Sequence, residues 1–139
     1  MKVLVTGTST GIGRGIAEKF LAEGHTVIGL DVAESTIAHE NYTHYIADVA
    51  CPEQLPAVEG VEILINNAGV QDSGRDIDVN LRGTIYCTEK YGIQPNIKSI
   101  VMTASVSAHN GAEFPEYCAS KGGVLAYTKN VALRVAKYG

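Results

Sequence analysis

Between an apolar, β-branched run at Lys2–Thr6 and an amphipathic helical pattern, the chain reads Thr6-Gly7-Thr8-Ser9-Thr10-Gly11-Ile12-Gly13. Few folds accommodate that order of strand, glycine turn and helix. Gly7 permits the tight turn, Gly11 removes the Cβ that would block an approaching pyrophosphate, and Gly13 lets helix and strand pack closely. The free N–H groups and positive dipole end of the helix then face the phosphates. A glycine-rich turn with no ligand is the competing reading, and an acid at the end of the next strand argues against it.

The rest of the chain continues the alternation. Lys2–Thr6, Thr26–Leu30, Thr43–Ala47, Ile63–Asn66 and Ser99–Thr103 are short, apolar runs of the kind buried in parallel sheets. Helical periodicity is clearest over Gly13–Glu23, where Ile12, Ile16, Phe20 and Leu21 share one face and Gly24 supplies the stop. Further helices are expected over Asp76–Tyr91 and from Pro115 to Lys137, the latter with Val124, Val131 and Val135 as its apolar stripe. The segment between Asp31 and Tyr42 has weak periodicity, and Pro52 to Gly60 allows only a short helix. Alternating βαβ units predict an α/β fold, a Rossmann-like doubly wound parallel sheet in a single domain over residues 1–139.

Composition excludes several function classes. A formal charge of −4 leaves no basic footprint for nucleic acid, although backbone amides can still bind an anionic ligand. No apolar span of about 20 residues and no leader pattern follows Met1, which predicts a cytoplasmic protein with no membrane partner. Cys51, Cys87 and Cys118 lack ligand spacing, so the expected metal content is none and the thiols are read as packing groups.

Asp31 closes the second strand eighteen residues after Gly13. A carboxylate there can accept hydrogen bonds from the adenosine ribose hydroxyls and repels a 2′-phosphate. Neither Thr10 nor the residues after Asp31 bring the Arg or Lys of a 2′-phosphate site, so NAD(H) is favoured over NADP(H). A solvated loop acid is the alternative reading of Asp31.

The TGxxxGIG spacing, joined by Asn66-Asn67-Ala68-Gly69 and by Tyr117-Cys118-Ala119-Ser120-Lys121, resembles the short-chain dehydrogenase/reductase family. The resemblance implies a sheet in strand order 3-2-1-4-5 and extends over nearly the whole chain. It implies cofactor contacts from Gly7, Ser9, Thr10, Gly11, Ile12, Gly13 and Asp31. It also implies Asp48 and Val49 beside the adenine, and Asn67, Ala68 and Gly69 along the sheet. The catalytic residues it implies are Asn80, Ser105, Tyr117 and Lys121, the last two also touching the cofactor.

The chemistry of these residue types agrees. Tyr117 and Lys121 are four apart on an expected helix and share a face. An ammonium and a cationic nicotinamide near the phenol favour its phenolate form and equip it for acid/base work. Lys121 would also donate to the nicotinamide ribose, Ser105 would bond the substrate oxygen, and Asn80 could hold a water linking Lys121 to solvent. Ser107 replaces Ser105 if the strand register is shifted. His109 could touch substrate from its loop, and Cys118, beside Tyr117 on a helix, points away and packs.

The implied function is interconversion of a secondary alcohol and a ketone by hydride transfer. A 3-oxoacyl-carrier-protein reductase and a hydroxysteroid-type dehydrogenase are two forms of it. The expected partners are a small-molecule alcohol or ketone and further copies of the chain, as a dimer or tetramer paired through the helices at Asp76–Tyr91 and Pro115–Lys137. Two other readings stand beside it: an inactive NAD-binding fragment or assembly module without a substrate lid, and a nucleotide-sugar epimerase sharing the tyrosine and lysine. Family members are commonly longer, so a truncated or proteolysed product is expected. The Gly69 to Asn80 and Asp48 to Asn66 segments are shorter than usual.

Overall fold

Parallel strands cannot be joined by tight turns, so each apolar run must be reached by a crossover. The computed structural model, which describes residues 1–139, shows five such strands: β1 (Lys2–Thr6), β2 (Thr26–Asp31), β3 (Tyr42–Ile46), β4 (Ile63–Asn66) and β5 (Ser99–Met102). They form one parallel sheet in the order β3-β2-β1-β4-β5, as the resemblance implies.

Register assigns the two faces. Val3 lies opposite Val27 and Ile63, while Leu4 lies opposite Ile28 and Leu64. Because side chains alternate along a strand, the first set faces Ala17 and Leu21 of α1 (Gly11–Ala22). The second set packs with Val79, Cys87 and Tyr91 of α2, which runs from Ile77 to Gly92. Each fully buried aliphatic side chain contributes about 1.5–3 kcal/mol, so both layers carry stability. Burial also pushes the Cys87 thiol up to about 12, as fits an inert packing group.

The helices differ in detail from expectation. α1 begins at Gly11 rather than Gly13, so the second glycine of the turn is also the first helical residue. In α2, a single α-helical turn at Thr84–Cys87 is flanked by π-helical stretches at Ile77–Gly83 and Thr88–Gly92. The Thr84 hydroxyl donates to the Asn80 carbonyl at 2.7 Å inside the widened region. After β5 come a one-turn α3 (Ser107–Asn110), α4 (Pro115–Val135) and a 3₁₀ turn at Ala136–Tyr138. Glu89 of α2 joins α4 through a paired contact with Arg134 at 2.7 and 2.9 Å and a hydrogen bond from Tyr127 at 2.7 Å. No helix is long and apolar enough to cross a membrane.

The crossover from β2 to β3 contains no helix and is held by side chains instead. His44 Nε2 donates to the Ala33 carbonyl at 2.9 Å, Tyr42 Oη donates to His44 Nδ1 at 2.7 Å, and Thr8 Oγ1 donates to Tyr42 Oη at 2.7 Å. The Ala33 carbonyl can only accept, so with a neutral imidazole the His44 proton sits on Nε2 and the direction of this chain of bonds is set. Gly29 of β2 leaves the room for it, since a Cβ there would overlap Tyr42 Oη.

The sheet order reverses between β1 and β4. The glycine turn follows one of these strands and Asn67-Ala68-Gly69 the other, so both segments meet at the switch point, where open α/β sheets bind ligands.

Candidate active site

A cavity of about 390 Å³ opens at the carboxyl ends of β1, β2 and β4. Gly7 and Gly11, with φ of +79° and +56°, form its floor together with Thr10 and Ile12. A Cβ on Gly11 would meet nothing within 4 Å, so bare backbone faces open space at the start of α1. That opening fits a pyrophosphate group. Gly13 does not line the cavity. A Cβ there would overlap the Gly7 carbonyl oxygen, which makes Gly13 a packing residue beneath the turn.

Ser9 differs from the role expected of it. It is buried, its N–H donates to Asp31 Oδ2 at 2.9 Å, and its hydroxyl donates to the Glu34 carbonyl at 2.8 Å. With both donors spent inside the chain, Ser9 holds Asp31 in place rather than meeting a phosphate. The other Asp31 oxygen accepts from Ala33 N–H at 3.0 Å. Each carboxylate oxygen keeps room for another donor on the cavity side.

Beyond Asp31 the walls turn apolar, with Val32, Ala47, Val49 and Val79 around a slot whose polar rim is Asp48. Asp48 Oδ1 accepts from Ala50 N–H at 2.9 Å, and Asp48 Oδ2 pairs with Arg75 Nη2 at 2.6 Å. Burial raises the Asp48 pKa, but those hydrogen bonds and the guanidinium charge outweigh it and hold the group below the usual carboxylate range.

Along the β4 side, the Thr6 hydroxyl accepts from both Asn67 N–H at 3.0 Å and Ala68 N–H at 2.9 Å. The Asn67 amide reaches the Thr6 carbonyl at 3.2 Å, so the segment Asn67-Ala68-Gly69 is stapled to the glycine turn. A Cβ on Gly69 would lie 3.2 Å from Asn80 Oδ1 and 3.6 Å from Lys121 Nζ, which places the lysine and asparagine next to Gly69, the cavity-lining residue between them and the glycine turn.

Lys121 is 5% exposed, and its ammonium donates to the Thr103 carbonyl at 3.0 Å. Two of its three donor hydrogens are left for other acceptors. Burial lowers its pKa. Its Nζ lies 5.7 Å from the centre of the Tyr117 ring, as the four-residue spacing predicts. Tyr117 is half-buried on the first turns of α4, and Ser105 is half-buried after β5. The Ser105 hydroxyl donates to Ser107 Oγ at 3.2 Å. Ser107 is 2% exposed, which favours Ser105 as the accessible hydroxyl of the two. His109 stands exposed on α3 rather than in a loop.

Asn80 also departs from expectation. Its amide nitrogen donates to the Val70 carbonyl at 2.8 Å and to Ser120 Oγ at 3.1 Å, and its Oδ1 accepts from Val70 N–H at 2.7 Å. Both amide donors are therefore committed. The side chain clamps the loop after Gly69 to α4, and only Oδ1 keeps capacity for a water.

A family model described as short chain dehydrogenase matches residues 1–139. The chain belongs to that family. Among similar proteins, an uncharacterized oxidoreductase of Schizosaccharomyces pombe is 32% identical over 161 aligned positions, covering 99% of this chain and 62% of its own length. A 3-oxoacyl-[acyl-carrier-protein] reductase of Vibrio cholerae is 32% identical, with 98% of this chain and 68% of that protein covered. The structure of Thermoplasma acidophilum aldohexose dehydrogenase in ligand-free form superposes with a TM-score of 0.80 at 34% identity, covering 95% of this chain and 60% of that one. The 3-oxoacyl-[acyl-carrier protein] reductase of Brucella melitensis in complex with NAD gives 0.83 at 29% identity, covering 98% and 68%. The chain thus spans roughly three-fifths to two-thirds of the length of these short-chain dehydrogenases. The 161 aligned positions exceed its 139 residues, so the yeast relative carries residues inside the matched stretch that this chain lacks.

Four residues important to this short-chain dehydrogenase site were not singled out by its sequence. Thr6 staples two loops, and Ser120 anchors Asn80. Arg75 lines the cavity, and Asp76 is buried beneath it. Thr6 stands at the end of a strand beside the turn it serves, which is a readable signal. The other three depend on contacts between segments far apart in sequence.

Proposed function

We propose that this chain binds NAD(H) in preference to NADP(H) and carries the acid/base residues of an oxidoreductase that interconverts a secondary alcohol and a ketone. The observation that carries the reading is one continuous surface. It runs from the open Gly11 backbone past the Asp31 carboxylate on one side and to Gly69 on the other, with the buried Lys121 ammonium behind Gly69. Short-chain dehydrogenase membership and the NAD complex of the Brucella relative support it.

A bound nicotinamide supplies the hydride acceptor for alcohol oxidation and the hydride donor for ketone reduction. The chain's own groups handle position and protons. Ser105 Oγ donates to the substrate oxygen, and Tyr117 Oη takes the hydroxyl proton in oxidation or returns it in reduction. The two uncommitted Lys121 donors fit a ribose diol, and the same ammonium places positive charge beside the phenol as its proton leaves. Asn80 positions the Gly69–Val70 loop over this group. We also propose that copies pair through α2 and α4, since Leu133 of α4 is 82% exposed and pairing would cover it.

Titration of the chain with NADH and NADPH tests the cofactor reading. NADH is expected to bind about tenfold or more tightly, because a 2′-phosphate meets the Asp31 carboxylate. Asp31→Ala should weaken NADH and narrow the gap. Equal affinity for both nucleotides in the unaltered chain would overturn the preference, and binding of neither would overturn the cofactor reading.

Lys121→Met separates stability from binding. Burial lowers the Lys121 pKa, so folding at neutral pH bears a cost for the charged form that methionine removes. The variant is expected to gain about 1 kcal/mol in denaturant unfolding and to lose about tenfold in NADH affinity. The stability gap should close as the pH rises through the lowered folded-state value toward the ordinary lysine value of 10.5, where wild type sheds the charge. A variant less stable at neutral pH would show that the Thr103 hydrogen bond outweighs burial.

A further inference from the structure

Ser105 and Tyr117 both lie within residues 103–120, a stretch with no Lys or Arg. Its charged side chains are Glu113 and Glu116, and both are exposed. The one-turn α3 packs against α4, which brings the serine end of the stretch beside the tyrosine end. A second segment reaches the same place. Gln71, two residues past Gly69, donates from Nε2 to Glu113 Oε2 at 2.9 Å. The residue after it, Asp72, is a third exposed acid.

None of these three carboxylates belongs to an ion pair. The Gln71 amide fixes Glu113 four residues before Tyr117 and leaves its charge in place. The cations of the site are already engaged. Lys121 is buried behind Gly69 and bonded to the Thr103 carbonyl at 3.0 Å, and Arg75 is paired with Asp48 at 2.6 Å. Two apolar side chains stand out beside the acids, Val106 next to Ser105 and Phe114 next to Glu113, 70% and 44% exposed. A substrate held at Ser105 and Tyr117 therefore meets apolar contact together with unpaired negative charge. An uncharged molecule incurs no repulsion there, whereas a carboxylate would sit among like charges with no counter-ion.

Resting on the alcohol–ketone reading above, we propose that Glu113 is a specificity-determining residue: held by Gln71 beside the reacting hydroxyls, it makes the site select uncharged secondary alcohols and ketones over those that carry a carboxylate.

The test titrates two alcohols into the whole chain saturated with NADH: methyl 3-hydroxybutyrate, which is uncharged, and 3-hydroxybutyrate, the matching carboxylate. Alcohol and NADH are both reduced, so no reaction obscures binding, and a pH of about 8 leaves histidine side chains uncharged. At low salt the ester should bind about fivefold more tightly, the size of a partly screened repulsion between like charges near a protein surface. Added salt should narrow that ratio. Glu113→Gln keeps a partner for Gln71 and should lower the ratio to about twofold or less, and Glu113→Lys should reverse it. A merely structural role for Glu113 would shift both alcohols together and leave the ratio and its salt dependence unchanged, and that result overturns the inference. Equal affinities in the unaltered chain, or tighter binding of the carboxylate, overturn it while the alcohol–ketone reading stands. Binding of neither alcohol to the NADH-loaded chain overturns both and leaves cofactor binding alone. Glu113 is exposed, and a thermal melt checks that each variant is folded before its ratio is read.

Discussion

Gly13→Ala is expected to lower stability by roughly 3 kcal/mol, a fall of roughly 10 °C in melting temperature, and to abolish measurable NADH binding. The added methyl would overlap the carbonyl oxygen and carbonyl carbon of Gly7 and approach the Asn67 amide. Backbone cannot rotate out of the way as a side-chain tip can. Relief must come from separating α1 from the turn, which disturbs Gly7, Asn67 and the Ala17–Leu21 packing against β1 together. Gly11→Ala provides the contrast. Its methyl meets nothing within 4 Å, and its cost is the φ of +56°, about 1 kcal/mol. That variant should fold and still fail to bind NADH, because the methyl occupies the space left for the pyrophosphate. Thermal melts and NADH titrations on both variants check the pair. Equal stability loss in both would mean that Gly13 is not the packing residue its neighbours imply.

The same two glycines show why part of this site was legible in the sequence. Glycine spacing between a strand and a helix encodes a backbone path, so the turn and the position of Asp31 follow from local rules, whereas the strand order followed from the family resemblance. Tyr117 and Lys121 likewise needed only a helix between them to come together. Ser9 was grouped with the cofactor contacts through its place in the glycine turn, and the sequence did not show that its donors are taken by Asp31 and Glu34 on a segment more than twenty residues away. Asn80 was read for its amide chemistry, and that capacity is taken by Val70 and Ser120, forty residues on. Arg75 escaped notice for a related reason. A charged residue in a loop of Gly and Ser carries no pattern until Asp76 is seen to be buried beneath it. The π-helical turns of α2 were equally silent, since one extra residue per turn barely alters hydrophobic spacing. Local periodicity therefore revealed the scaffold and the residues it aligns directly, and the hydrogen-bond partners that crossed between segments set the rest.

Tyr117→Phe is expected to reduce turnover by 10²- to 10⁴-fold, the usual contribution of a positioned general acid or base, with NADH affinity and melting temperature nearly unchanged. The structure permits that separation. What Tyr117 gives to the fold is its main-chain carbonyl, which accepts from the Ser120 hydroxyl at 2.7 Å, and its ring, which a phenylalanine reproduces. The lost oxygen belongs to the ring whose centre lies 5.7 Å from the Lys121 ammonium. Steady-state rates on a panel of secondary alcohols with NAD⁺ and ketones with NADH measure the effect, and the Ser105→Ala variant provides a comparison. The role proposed for Ser105 is a hydrogen bond to the substrate oxygen with no proton transfer, so its loss should cost less, about 10- to 100-fold. A Tyr117→Phe variant within tenfold of wild type would assign the proton transfer to another group. No turnover in the unaltered chain, despite NADH binding, would limit the 139 residues to cofactor binding.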